Sequence, residues 1–261
     1  MTIYTKISKL LVSLLPILLL QCSYVVLVNP MQAQAQAQTA KRSKVTFEPP
    51  KGQPAPKVTF GGGTRNGRVD SDLCPQASRT TARQNAGVKS MVPLLPQSKL
   101  GLTTSSHPTF MVYVPKTNAK ELEFKVEDTQ ANEVYQTTVK LGATPGFVSF
   151  NLPENHRGLE VGQDYKWVVG AVCQSNSSES RFVEGAVRRF EISSALKSQL
   201  NKAKPFEQVV LYGKAGIWQD AISSLAVIKR NQPGNAEAIT AWRDMLQSVG
   251  LDAIAEAPIY N

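Results

Sequence analysis

Histidine and cysteine are nearly missing from this chain, at two and three in 261 residues. His107 lies in Ser105-Ser106-His107-Pro108-Thr109 and His156 in Asn155-His156-Arg157-Gly158, so neither has a partner at metal-ligand spacing, and both read as loop residues. The chain also lacks a Gly-x-Ser-x-Gly elbow, a His-Glu-x-x-His pair and a Cys-x-x-Cys. No catalytic, cofactor-binding or metal-binding residue is nominated. Apolar residues make up 42%, too few for a polytopic membrane protein, and the length suits one or two ordinary domains.

The N-terminus reads as an export signal at 1–37. Lys6 and Lys9 precede the apolar run Leu10 to Leu20, broken only by Ser13 and Pro16. Ala33-Gln34-Ala35 and Ala35-Gln36-Ala37 then offer small-x-small cleavage sites. A retained anchor is the alternative, because Val25-Val26-Leu27-Val28 continues the apolar stretch. A lipid-modified Cys22 is another, with Gln21 standing where a small residue should precede the cysteine. Cleavage places the protein in the periplasm or outside the cell.

Loss of Cys22 with the signal leaves Cys74 and Cys173 in an oxidising compartment, where an even count argues for a disulfide. Two thiols without a nearby histidine do not make a zinc site, and neither has a basic neighbour to activate it as a nucleophile.

The formal net charge is +9, which invites a nucleic-acid reading until the charges are located. Residues 41–100 hold eleven Lys and Arg against three Asp and Glu, a net +8; residues 101–261 come to −1. The basic character therefore belongs to an arm, taken as 38–100, and the nucleic-acid reading loses its support. Seven prolines and six glycines at 41–100 predict extended, partly polyproline-like chain with little to bury. Gly61-Gly62-Gly63-Thr64-Arg65-Asn66-Gly67-Arg68 has the glycine separation of a phosphate loop. Arg68 and Val69 stand where Lys and Ser/Thr are required, so it reads as a flexible turn.

From 101 to 192 the pattern is antiparallel β-structure. Leu122, Phe124 and Val126 alternate with Glu121, Glu123, Lys125 and Glu127, the period of a strand with one wet face; the paired glutamates read as solvent face, not as an acid–base pair. Thr109 to Val114 is apolar on both faces and suggests a more enclosed strand. Tyr135, Thr137, Val139 and Leu141 share a face, as do Val148, Phe150 and Leu152, and Tyr165, Trp167, Val169, Ala171 and Cys173. In Phe182 to Ile192 the apolar parity changes, which predicts a bulge near Arg188-Arg189, a pair read as a solvated strand end. Six short strands without intervening helices fit an immunoglobulin- or fibronectin-like β-sandwich, with a small barrel as the alternative.

From 193 to 261 the period changes to that of helices. Ser194 can cap one; Pro205 suits the first turn of a second; a third runs from about Trp218 to Arg230, and a fourth begins after Asn235 and stops at Gly250. Tyr212, Gly216 to Ala221, Leu225 and Pro233 fall at spacings resembling a tetratricopeptide-type hairpin; an ordinary helical hairpin covering the sandwich is the plainer reading. The fold class expected is α+β.

Gly61-Gly62-Gly63-Thr64-Arg65, Cys74, Leu94-Leu95-Pro96, His107-Pro108-Thr109-Phe110, Tyr113-Val114-Pro115, Val134-Tyr135-Gln136, Leu159-Glu160-Val161-Gly162, Tyr165-Lys166-Trp167, Cys173, Val183-Glu184-Gly185 and Arg188-Arg189 together resemble a family of exported cyanobacterial proteins catalogued as domain of unknown function 928. The resemblance spans roughly residues 45–250. It implies export and a Cys74–Cys173 link, and it brings no activity and no catalytic residues.

These readings converge on an exported, non-enzymatic binding or scaffold protein of the cell envelope. It would recognise a protein or a glycan, bind no nucleic acid, and touch the membrane only through the signal or the basic arm. An unrecognised envelope hydrolase or sugar-active enzyme is the alternative, and would require a deep pocket with convergent polar groups. Asn176-Ser177-Ser178 matches a glycosylation acceptor, relevant only in a secreted eukaryotic setting.

Overall fold

A computed structural model of the chain describes residues 45–50, 52–60, 74, 88, 90–173 and 182–260. The export segment, the glycine-rich turn at 61–68 and the Asn176 acceptor lie outside them.

The fold is α+β. Among the described residues, eight strands, β1 (Val92–Pro93), β2 (Leu100–Thr103), β3 (Thr109–Val114), β4 (Glu121–Glu127), β5 (Glu133–Lys140), β6 (Gly146–Asn151), β7 (Asp164–Val172) and β8 (Phe182–Arg189), precede four helices. These are α1 (Ser194–Lys202), α2 (Pro205–Lys214), α3 (Trp218–Asn231) and α4 (Ala236–Ser248). The strands form a three-stranded sheet, β1-β3-β6, and a five-stranded sheet, β2-β8-β7-β4-β5.

The alternation read in β4 becomes its burial: Leu122, Phe124 and Val126 are fully buried, while Glu123 is exposed. The two sheets meet through aromatic side chains. Phe110 of β3 packs on Phe124 of β4 at 5.1 Å and on Trp167 of β7 at 5.6 Å, and Phe150 of β6 stacks on Phe124 at 4.9 Å. The opposite face of β3 and β6 carries Tyr113 and Phe147, and Phe147 meets Trp242 of α4 edge-on at 5.2 Å. Hence β3 is apolar on both faces, with a sheet on one side and helices on the other.

Local signals set the helix ends. Ser193, one residue before the expected cap, accepts from the Leu196 amide, Pro205 occupies the first turn of α2, and Asn235 accepts from the amides of Glu237 and Ala238. The α2–α3 turn needs Gly216 at φ +72°, where any Cβ would also sit 2.9 Å from the Glu48 carbonyl oxygen. At the start of α3, Trp218 Nε1 donates to the Leu94 carbonyl at 2.8 Å. Asp220 accepts from the hydroxyls of Thr103 (2.5 Å) and Thr104 (2.6 Å) and from the Thr104 amide (2.8 Å). The polar residues that open α3 thus pin it to the edge of β2.

Two expectations about strand pairing need correction. The sheets are not all antiparallel: β2 pairs parallel with β8, with Leu100 opposite Ala186 and Thr103 opposite Arg189. β2 is only four residues long, and the chain leaves it for the other sheet, so its neighbour is supplied much later. The bulge expected near Arg188-Arg189 is also missing, since β8 keeps an unbroken register with β7 from Phe182 to Arg188. Its parity change has another cause. Val187 faces the inter-sheet core, while Ala186 and Arg188 on the opposite face are buried under other chain.

Candidate binding surface

The outer face of the five-stranded sheet has two unlike halves. Over β2 and β8 it is covered by part of the arm. Val58 packs with Leu100, Leu102 and Ala186 in a small cluster that also takes in Phe60 and Phe190, and Lys99 Nζ stands 5.2 Å from the centre of the Phe60 ring. Beside this cluster Asp164 and Arg188, directly opposite each other across β7 and β8, form a buried ion pair through both guanidinium nitrogens Nε and Nη2.

That pair holds the arm. Arg188 donates from Nη1 to Gln53 Oε1 (3.2 Å) and the Pro54 carbonyl (3.4 Å), and from Nη2 to the Ala55 carbonyl (3.5 Å). The Lys57 amide donates to Asp164 Oδ2 at 2.7 Å. Burial pushes the Asp164 carboxyl up, but Arg188 and the Lys57 amide outweigh it and leave it below its ordinary value. Arg188 is therefore 8% exposed, not the solvated strand end that sequence suggested, and Arg189 likewise donates inward, to the Leu159 carbonyl at 2.7 Å. Farther back the arm lies on the helices: Glu48 N–H donates to the Gly213 carbonyl at 3.1 Å, and Phe47 meets Trp218 edge-on at 5.0 Å.

The other half of the face is uncovered by described chain. Val172 at the end of β7 and Phe182 at the start of β8 are 41% and 38% exposed, and Phe182 pairs across the ladder with Gly170. Glu121, opposite Val172, and Glu123, opposite Gly170, border this patch from β4. An exposed apolar patch bordered by carboxylates is the kind of surface a partner can cover.

Cys74 and Cys173 are joined in a disulfide with Cα atoms 5.4 Å apart. The bond fixes the arm to the C-terminal end of β7, beside Val172. The two histidines, 49 positions apart, are brought together: His107 Nε2 lies 3.0 Å from the His156 carbonyl oxygen, and the His156 ring packs on Tyr135 at 4.8 Å. They are loop residues joined through backbone. Among the described residues no group of three or more His, Cys, Asp or Glu could hold a metal ion, and no described helix is long and apolar enough to cross a membrane. Asp164, Val172 and Phe182 were missed from sequence and Arg188 was misplaced at a solvated end; the signal that joins Asp164 to Arg188 is opposite charge at facing positions, visible only once β7 and β8 are in register.

Residues 61–259 match the family described as Domain of Unknown Function (DUF928). No curated protein matches the chain.

Proposed function

Because the chain belongs to that family, whose description names no activity, we propose that it is an exported, non-enzymatic binding or scaffold protein of the cell envelope, presenting the uncovered half of its outer sheet face to a protein or glycan. The observation that supports this is the pair Val172 and Phe182, exposed side by side on a rigid sheet and bordered by Glu121 and Glu123. Sheet residues hold their positions better than loop residues do, so such a patch has a fixed shape before a partner arrives. On the same reading the stacked sheets are of the immunoglobulin or fibronectin kind, α2 and α3 are a tetratricopeptide-type hairpin, residues 1–37 are a cleaved signal, and the source is a cyanobacterium. The disulfide is compatible with export, since such bonds persist in oxidising compartments.

Crosslinked pull-down from envelope fractions tests the reading. The wild-type chain is expected to retain one discrete partner, and Phe182→Asp, which buries a charge in the contact, is expected to lose it while keeping its circular dichroism spectrum. Retention by Phe182→Asp, or turnover of a defined substrate by the wild type, overturns it.

A further inference from the structure

Sheet edges offer unpaired amides and carbonyls to any passing strand, and folded proteins blunt them. Three of the four edges here are blunted. β1 has two residues, one of them Pro93. β6 is covered by the C-terminal tail, where the Phe147 amide donates to the Pro258 carbonyl (2.8 Å) and the Tyr260 amide to the Phe147 carbonyl (2.9 Å). β2 is four residues long and lies against α3 through Asp220. The fourth edge is β5, eight residues without proline, and among the described residues no strand pairs with its far side.

The side chains of β5 are self-complementary. Its register with β4, shifted at Val126/Glu127, places Glu133, Gln136, Thr138 and Lys140 on the outer face, opposite Glu127, Lys125, Glu123 and Glu121. Tyr135, Thr137 and Val139 face inward. A two-fold axis normal to the sheet and midway between Thr137 of the two copies sets Gln136 against Thr138 of a second copy and Tyr135 against its Val139. The same operation sets Lys140 of each chain opposite Val134 of the other, next to Glu133, which the register shift at Val126/Glu127 leaves on the same outer face as Lys140. Aromatic–β-branched and opposite-charge cross-strand pairs are the favourable ones, and a two-fold contact makes each twice. Glu133 is free to take part: its side chain is 51% exposed and its only intrachain cation among the described residues is Lys125, at 3.9 Å.

We propose that β5 is a homodimer edge, pairing antiparallel with β5 of a second copy to continue the five-stranded sheet across the two-fold. The contact uses the free edge of β5, whereas Val172 and Phe182 lie on the face of β7 and β8, two and three strands away, so it stands whether or not that patch binds a partner.

Analytical ultracentrifugation of the purified full chain over a concentration series, beside Lys140→Glu, Glu133→Lys and the double exchange, tests it. The wild type is expected to dimerise, each single variant to raise the dissociation constant roughly tenfold, and the double exchange to recover most of the loss. Far-ultraviolet circular dichroism separates this from misfolding. A wild type that stays monomeric throughout, a dimer untouched by either single reversal, or a double exchange no better than the singles overturns the proposal.

Discussion

Asp164 and Asp220 are both buried carboxylates, and their surroundings move them in opposite directions. Burial raises Asp220 above its ordinary value of 3.8, and the lowering by the Thr103 and Thr104 donors does not cancel it. At Asp164 burial also raises, but the Arg188 guanidinium and the Lys57 amide leave it below 3.8. The consequences for stability have opposite signs. Asp164 contributes stability that is present above pH 3.8 and is lost as pH falls through its lower native value. Asp220 contributes below pH 3.8 and loses that contribution as pH rises through its higher native value. Asp164→Asn is therefore expected to lower stability at neutral pH, by about 3–5 kcal/mol because Arg188 is left buried without its anion, and to flatten the acid side of the stability profile below 3.8. Urea midpoints from pH ~2 to ~7 check both parts; a variant with the wild-type slope on the acid side would remove Asp164 as a source of acid sensitivity.

The element that most changes the picture of the chain is the arm. Its described residues work as a strap: Val45 and Phe47 are buried against the helices, Gln53 to Lys57 are held by Arg188 and Asp164, and Val58 closes the cluster over β2 and β8. A chain lacking residues up to 60 is expected to expose Leu100, Leu102 and Ala186, bind an apolar dye that the intact chain does not, and unfold at a lower urea concentration; Phe47→Ala alone should cost about 3 kcal/mol. Dye binding and midpoints equal to those of the full chain would show that the strap is only laid on the surface. Little in the arm's sequence marks these contacts, because Val45 and Phe47, like Val58 and Phe60, make only one alternating step and sit near prolines that also suit solvated chain. The six longer strands and all four helices were legible for the converse reason. Alternation around Phe124 and Trp167, the first-turn Pro205 and the cap Asn235 act within one turn or one strand. β2 escaped because Leu100 to Thr103 is too short for either period. The exposed Val172–Phe182 pair escaped as well, since one residue ends a strand and the other begins the next, and only register joins them.

For the whole molecule the question is what ties a basic N-terminal third to a nearly neutral remainder, given +8 at 41–100 and −1 at 101–261. The ties spaced along the arm include Phe47 on Trp218, the Asp164–Arg188 clasp, and the Cys74–Cys173 bond. The first two are noncovalent and depend on the strap staying near the body in the unfolded-to-folded search. The third makes that nearness permanent, because the linked residues are 99 apart in sequence and the closed loop contains β1 through β7. Closing a loop of that size restricts the unfolded chain by an amount the chain-entropy treatment puts near 4–5 kcal/mol. The double replacement Cys74→Ser with Cys173→Ser is therefore expected to lower Tm by several degrees and to make unfolding insensitive to a thiol reductant, which should destabilise the wild type to about the same level. The same replacement should make the strap easier to release, so that Phe47→Ala costs less in the reduced protein, where the strap has less docking energy to lose, than in the oxidised one. Thermal unfolding of the four combinations with and without reductant reads this directly. Equal Phe47→Ala effects in both redox states would mean that the bond and the strap stabilise the fold independently.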